Sequence, residues 1–66
     1  MQKLLESLKI SFDGEARLTK TGEVRINREE LSIYNLYFLH SKAKEYDVNV
    51  IVKRSGKGLV VIFKAY

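Results

Sequence analysis

His40 is the only imidazole in the chain, and there is no cysteine. A catalytic triad needs a histidine beside a nucleophile and an acid. Ser41 follows His40 directly and Glu45 lies five residues on, and neither spacing is that of a nucleophile signature. A solvent-side or partly packed histidine late in a helix accounts for it. Glu29 and Glu30 are adjacent, and adjacent helical positions point about 100° apart, so the two carboxylates do not converge on one bond. Capping and helix-dipole roles explain them. Asp13, Glu15 and Glu23 fall near turns and could offer oxygen ligands, but they lack the dense, regular spacing of a calcium loop. One histidine without cysteine also excludes a His/Cys metal cluster. These residues predict no enzyme, no metal, no cofactor and no small-molecule substrate.

The segment Ser55-Gly56-Lys57-Gly58 shares glycine and lysine with phosphate-binding loops. It is not a P-loop, because the earlier glycine and the following Ser/Thr are missing and no helix follows. Nor is it the Gly-x-x-Gly of a KH loop. The plain reading is a β-turn built from permissive residues. The sharper reading is a basic finger, in which Lys53, Arg54 and Lys57 stand at the end of a projecting hairpin with Lys64 further down it. Such an arm contacts nucleic-acid backbones.

The distribution of charge favours the sharper reading. The chain carries 12 basic and 8 acidic residues, a net charge of +4. Residues 1–47 hold eight bases and all eight acids, so they sum to zero. Residues 48–66 hold Lys53, Arg54, Lys57 and Lys64 and no acid, so the whole excess is theirs. Against this, a few charges at an exposed turn are commonly a solvated edge that limits aggregation.

A second set of residues points to protein contact. Ile33, Tyr34 and Tyr37 fall together on the side of a central helix opposite its broad apolar face. A dimer interface, a partner-protein site and base stacking compete there. Protein contact is favoured, because tyrosine is enriched in interface cores and stacking platforms usually sit beside basic residues. Ile51, Val60 and Ile62 form the second face of a C-terminal hairpin, where an exposed sheet should be polar. Something is expected to cover them: another segment, a partner protein or a second copy in a homodimer.

The elements that must position these residues follow from periodicity. The spacing predicts a helix from Arg28 to Tyr46, with Asn27 as N-cap, Glu30 completing a capping box, and Ile26 and Leu31 forming a hydrophobic staple. Its apolar face is Leu31, Leu36, Phe38, Leu39, Ala43 and Tyr46. Two strands follow with a period of two and strong β-formers. A two-residue loop at Ser55-Gly56 pairs Val52 with Leu59, Val50 with Val61 and Val48 with Phe63. An earlier hairpin joins Ala16–Thr19 to Glu23–Ile26 through Lys20-Thr21-Gly22, a three-residue loop with glycine in the left-handed position. It pairs Leu18 with Val24 and Ala16 with Ile26. In the first dozen residues two templates compete. Leu4, Leu5 and Leu8 have helical spacing, whereas Leu8, Ile10 and Phe12 have strand spacing. A short helix running into an extended segment is expected, with a further strand near Ile10 as the alternative, and Asp13-Gly14 as a turn.

The result is an α+β domain, residues 1–66, with an antiparallel sheet of two β-hairpins and one main helix packed on it, in the order ββαββ. That order invites comparison with β-grasp domains, which lay one helix across a four-stranded sheet. The likeness is topological and fixes no function.

Composition bounds the rest. A chain of 66 residues buries only about 60% of its unfolded surface. With no cysteine and no metal cluster, self-association is the remaining route to extra stability. The absence of cysteine suits a reducing, cytoplasmic setting, and the initial Met is what a complete small protein would show. Lys3, Glu6 and Lys9 interrupt any signal-peptide apolar core. The longest uncharged apolar stretch, Leu31 to Leu39, is too short to span a membrane. The expected function is a small basic nucleic-acid-binding or regulatory protein, contacting phosphates through the C-terminal hairpin, as a dimer. The alternative is an interaction module, such as a phage- or plasmid-encoded inhibitor or accessory subunit, docking through the apolar and tyrosine patch.

Overall fold

The first hairpin of the computed structural model follows its turn chemistry. β1 (Ala16–Leu18) and β2 (Val24–Arg28) pair antiparallel with Ala16 opposite Ile26 and Leu18 opposite Val24, the expected register. Gly22 takes a φ of +83°, which suits a residue without a Cβ. Thr19 closes the loop by donating its N–H to the Glu23 carbonyl and accepting the Glu23 N–H on its hydroxyl. The structure describes residues 1–12 and 15–66, so the Asp13-Gly14 turn lies outside the described residues.

The chain then departs from the expected helix start. β2 runs on through Asn27 and Arg28, which pair with Val60 and Leu59. Asn27 is therefore a strand residue and not an N-cap. The main helix, α2, spans Ile33–Glu45, and its cap is Ser32, whose hydroxyl accepts the Asn35 N–H at 3.1 Å. A sheet partner for Asn27 and Arg28 outcompetes a local cap, because pairing with β4 gives this segment backbone hydrogen bonds that a helix N-terminus would leave unmade. Glu29 and Glu30 consequently precede the helix and do not serve its first turn.

The C-terminus of α2 closes with the two hydrogen bonds of a Schellman motif. Val48 donates its N–H to the Ala43 carbonyl at 3.0 Å, and Asp47 donates to Lys44 at 3.3 Å. Asp47 takes the left-handed φ of 54° that glycine usually supplies at this position.

β3 (Asn49–Ser55) and β4 (Gly58–Lys64) form the second hairpin. Its register is shifted by two residues from the expected one: Val52 faces Val61, Val50 faces Phe63, and Ser55 faces Gly58. The loop is therefore Gly56-Lys57. Gly56 has a φ of +59° while Lys57 does not take a positive φ, the φ signs of a type II′ turn, which places glycine first. A shift of two preserves the side-chain parity, so each residue keeps its expected face.

β4 inserts between β2 and β3, giving the all-antiparallel order β1-β2-β4-β3. The apolar run Leu59 to Phe63 thus becomes a central strand, while the short β1 and the Lys53- and Arg54-bearing β3 form the edges. Charged or short edge strands are how sheets avoid pairing with other chains. Gly58 is needed where β4 passes the end of β2. A Cβ there would lie 2.5 Å from the Arg28 carbonyl oxygen.

The first dozen residues resolve as helix. α1 runs from Gln2 to Ser11, and Ile10 is in it, on its exposed side, so the further strand near Ile10 does not form. Leu4, Leu5, Leu8 and the following Phe12 share one face and are buried. They join Leu39 and Ala43 of α2 and Ala16, Val24, Ile26, Val61 and Phe63 of the sheet in one cluster. Both helices therefore lie on the same side of the sheet, and the fold carries a second helix beyond the single one of the β-grasp comparison. The order is αββαββ, an α+β architecture. No helix among the described residues is long and apolar enough to cross a membrane.

Two substitutions test these backbone constraints by thermal denaturation. Gly58→Ala should lower stability by about 1–3 kcal/mol through the forced clash with Arg28. Asp47→Gly should raise it by about 0.5–1 kcal/mol by relieving the left-handed aspartate.

Candidate nucleic-acid interface

The four strands carry Arg17, Arg25, Arg28, Lys53, Arg54 and Lys64, and not one carboxylate. All the described acids lie on helices, loops or turns. Alternation along each strand sorts the six cations between two faces. Arg28 and Arg54 share the parity of Ile26 and Val52 and so belong to the helix side. Arg28 closes the edge of the core, with its guanidinium 5.4 Å from the Phe12 ring centre and 3.1 Å from Glu15. Arg17, Arg25, Lys53 and Lys64 fall on the opposite, outer face.

The sheet register fixes their arrangement. One row across the outer face reads Arg17, Arg25, Ile62, Ile51. The next reads Asn27, Val60, Lys53. On the other side of the first row, Lys64 stands opposite Asn49. Four cations thus surround an aliphatic centre of Ile51, Val60 and Ile62.

No helix among the described residues covers this centre, and yet Val60 is only 9% exposed and Ile62 only 6%. Neither belongs to the main core cluster. Their direct neighbours on the adjoining strands are Asn27, Lys53, Arg25 and Ile51. Long basic side chains lay their methylene stems over apolar surface while the charged ends stay in water. The apolar outer face is thereby largely shielded without a covering layer, and the shield itself is cationic.

Among the described residues, Arg17, Lys53 and Lys64 make no salt bridge. Arg25 is paired with Glu23 at 3.3 Å, just beyond the start of β2, so one carboxylate borders the face. Exposed pairs of this kind stabilise little, and they yield readily to a stronger anion.

The expected basic finger is divided by this geometry. Lys53 and Lys64 lie on the outer face, Arg54 has the parity of the helix side, and Lys57 sits in the turn. All four are exposed. Arg17 and Arg25 complete the cationic face, although charge counting along the chain assigns them to the neutral first 47 residues. The signal that finds them is parity: Leu18, Val24 and Ile26 face the core, so Arg17 and Arg25 must face away.

The expected interface residues also separate. Ile51, Val60 and Ile62 are the centre of the outer sheet face. Ile33, Tyr34 and Tyr37 project from α2, with exposures of 64%, 83% and 68%. Because α2 packs on the inner face, the two groups are on different layers and do not form one surface. His40 is exposed on α2, and no three of the described His, Asp and Glu side chains cluster as metal ligands would.

Comparison with protein-family models, curated proteins and solved structures finds no match for this chain.

The difference between the two sides of α2 is measurable by chemical denaturation. Leu39→Ala, at a buried position, should cost about 2–5 kcal/mol. Tyr37→Ala, at an exposed one, should change stability by no more than about 0.5 kcal/mol.

Proposed function

We propose that this protein binds nucleic acid, contacting phosphates through the outer face of its sheet, with the β3–β4 tip extending the contact. The observation that carries this reading is the segregation of charge. Six cations and no carboxylate are on the strands, and four of those cations surround the uncovered face. A surface of one sign attracts a polyanion at long range and holds it by charge-assisted hydrogen bonds. Asn27 and Asn49, on the same face, add neutral donors and acceptors of the kind that contact backbone and base edges. The proposed activity is binding, as a small regulatory protein, and no reaction is assigned. A cytoplasmic protein of this kind loses nothing by lacking disulfides.

The test is a titration of labelled DNA and RNA at several salt concentrations. Four phosphate contacts on a duplex would give a slope of log affinity against log salt of about −3.6. Replacing Arg17, Arg25, Lys53 and Lys64 together by Gln should abolish binding while leaving the circular dichroism spectrum unchanged. Retained affinity in that variant would remove the outer face as the site. Glu23→Gln should tighten binding by a few fold, about 0.3–1 kcal/mol, because it frees Arg25 and removes the bordering anion.

A second reading rests on Ile33, Tyr34 and Tyr37, three large side chains exposed within about one turn of α2. They suit a protein partner or a second copy of the chain. Light scattering of the wild type and of Tyr37→Glu tests the homodimer. A dimer mass that falls to a monomer in the variant supports it, and a monomer mass in both rejects it.

A further inference from the structure

Resting on the proposal of nucleic-acid binding, we infer that the outer face is built for the backbone of double-stranded B-form DNA and not for a single strand or an RNA duplex. The first ground is what the face lacks. Single-strand binding relies on aromatic side chains on which successive bases stack. Every aromatic residue of this chain lies elsewhere. Phe12 and Phe63 are buried in the core, and Phe38 and Tyr46 pack against it. Tyr34 and Tyr37 are on α2, and Tyr66, beyond the last strand, lines a hollow with His40, Ala43 and Lys44 at the end of α2. The centre of the outer face is aliphatic, so an unpaired base gains no π-stacking there.

The second ground is the spacing of the cations. Arg17 is on one edge strand, Lys53 is on the other, and β2 and β4 lie between them. Three strand spacings place these two positions about 14 Å apart across the sheet. A B-form major groove is about 12 Å wide and is bordered by a phosphate backbone on each side. A sheet of four strands is too broad to enter that groove, but its edge cations match the separation of the two backbones. Arg17 and, one strand spacing of about 4.8 Å inward, Arg25 then serve one backbone, while Lys53 and, one strand inward, Lys64 serve the other. A single strand offers one backbone and leaves half of the set unused. In A-form RNA the major groove is deep and narrow, so the two outer cations have no matching pair of phosphate lines.

The third ground is the shielding of Val60 and Ile62. The flanking basic stems leave little apolar surface for wedging between base steps, as minor-groove benders do. Contact is therefore made chiefly to phosphates, which carry no sequence information directly.

The experiment compares a duplex DNA of about 20 base pairs, an unrelated duplex of equal length, the constituent single strand and the corresponding RNA duplex. Binding is read by fluorescence anisotropy with the full chain at low salt. The expected result is duplex DNA bound at least about fivefold more tightly than either other form, with the two duplex sequences within about threefold of each other, about 0.65 kcal/mol at 25 °C. Arg17→Gln combined with Lys53→Gln should then reduce that preference to under about twofold. A single strand or RNA duplex bound within fivefold of duplex DNA, or more tightly, overturns the inference and leaves nucleic-acid binding standing. A preference that survives the double variant, or strong discrimination between the two duplexes, overturns it as well. No binding of any form at low salt removes the underlying proposal together with the inference.

Discussion

The central strand β4 is apolar on both of its faces, and only one of those faces is covered by helices. Val61 and Phe63 anchor the core that holds α1, α2 and the sheet together. Val60 and Ile62 point the other way, from the same backbone, with no freedom to turn inward, because alternation along a strand is strict. A residue pair that must be apolar on the outer face needs another source of shielding in a chain too small to supply a third layer. The cross-strand neighbours Arg25 and Lys53 are the long side chains placed to supply it, and such stems carry their positive charge at the surface. The cationic face is thus coupled to the packing of β4, since the side chains that shield its outer residues also carry the charge.

The same strand explains the topology. β4 is the most apolar segment of the sheet and occupies an interior position, where both of its edges are hydrogen-bonded. β3, which precedes it and carries Lys53 and Arg54, is left at the edge. The crossing from β2 through α2 to β3 leaves a gap beside β2 that only β4 can fill by folding back through the Gly56-Lys57 turn. Gly58 lets this return pass the Arg28 carbonyl. Acids are kept off the strands altogether. The described ones occupy helices and connections, where Glu45 pairs with Lys42 and Glu15 with Arg28.

Much of the architecture was legible from local pattern. The turn Lys20-Thr21-Gly22 and the alternation on either side of it fixed the register of the first hairpin, though not the ends of its strands. The β-branched run of the second hairpin fixed which residues share a face. Its register was not legible, because Ser55-Gly56 and Gly56-Lys57 are both acceptable two-residue loops with the same parity. The start of α2 is not legible locally, because Asn27, Glu30, Ile26 and Leu31 imitate a helix start, whereas Ser32, the actual cap, lacks the usual Glu or Gln three residues on. The choice between them depends on β4, which lies more than thirty residues away and takes Asn27 and Arg28 as strand partners. Likewise Leu8, Ile10 and Phe12 fit a strand until Leu4, Leu5, Leu8 and Phe12 find a common core on one helical face.

The sequence by itself determined the register of the first hairpin and the face of each residue in the second, because these follow from turn chemistry and short-range periodicity. Only the tertiary structure decided which charges act together. Arg17 and Arg25 are far from Lys53 and Lys64 along the chain and sit among balancing acids there. Sheet order brings the four onto one face and leaves Glu23 at its border, while Arg54, adjacent to Lys53, turns to the other side. Charge along a chain is a sum over neighbours in sequence, whereas a binding surface is a sum over neighbours across strands. Strand pairing converts the one into the other.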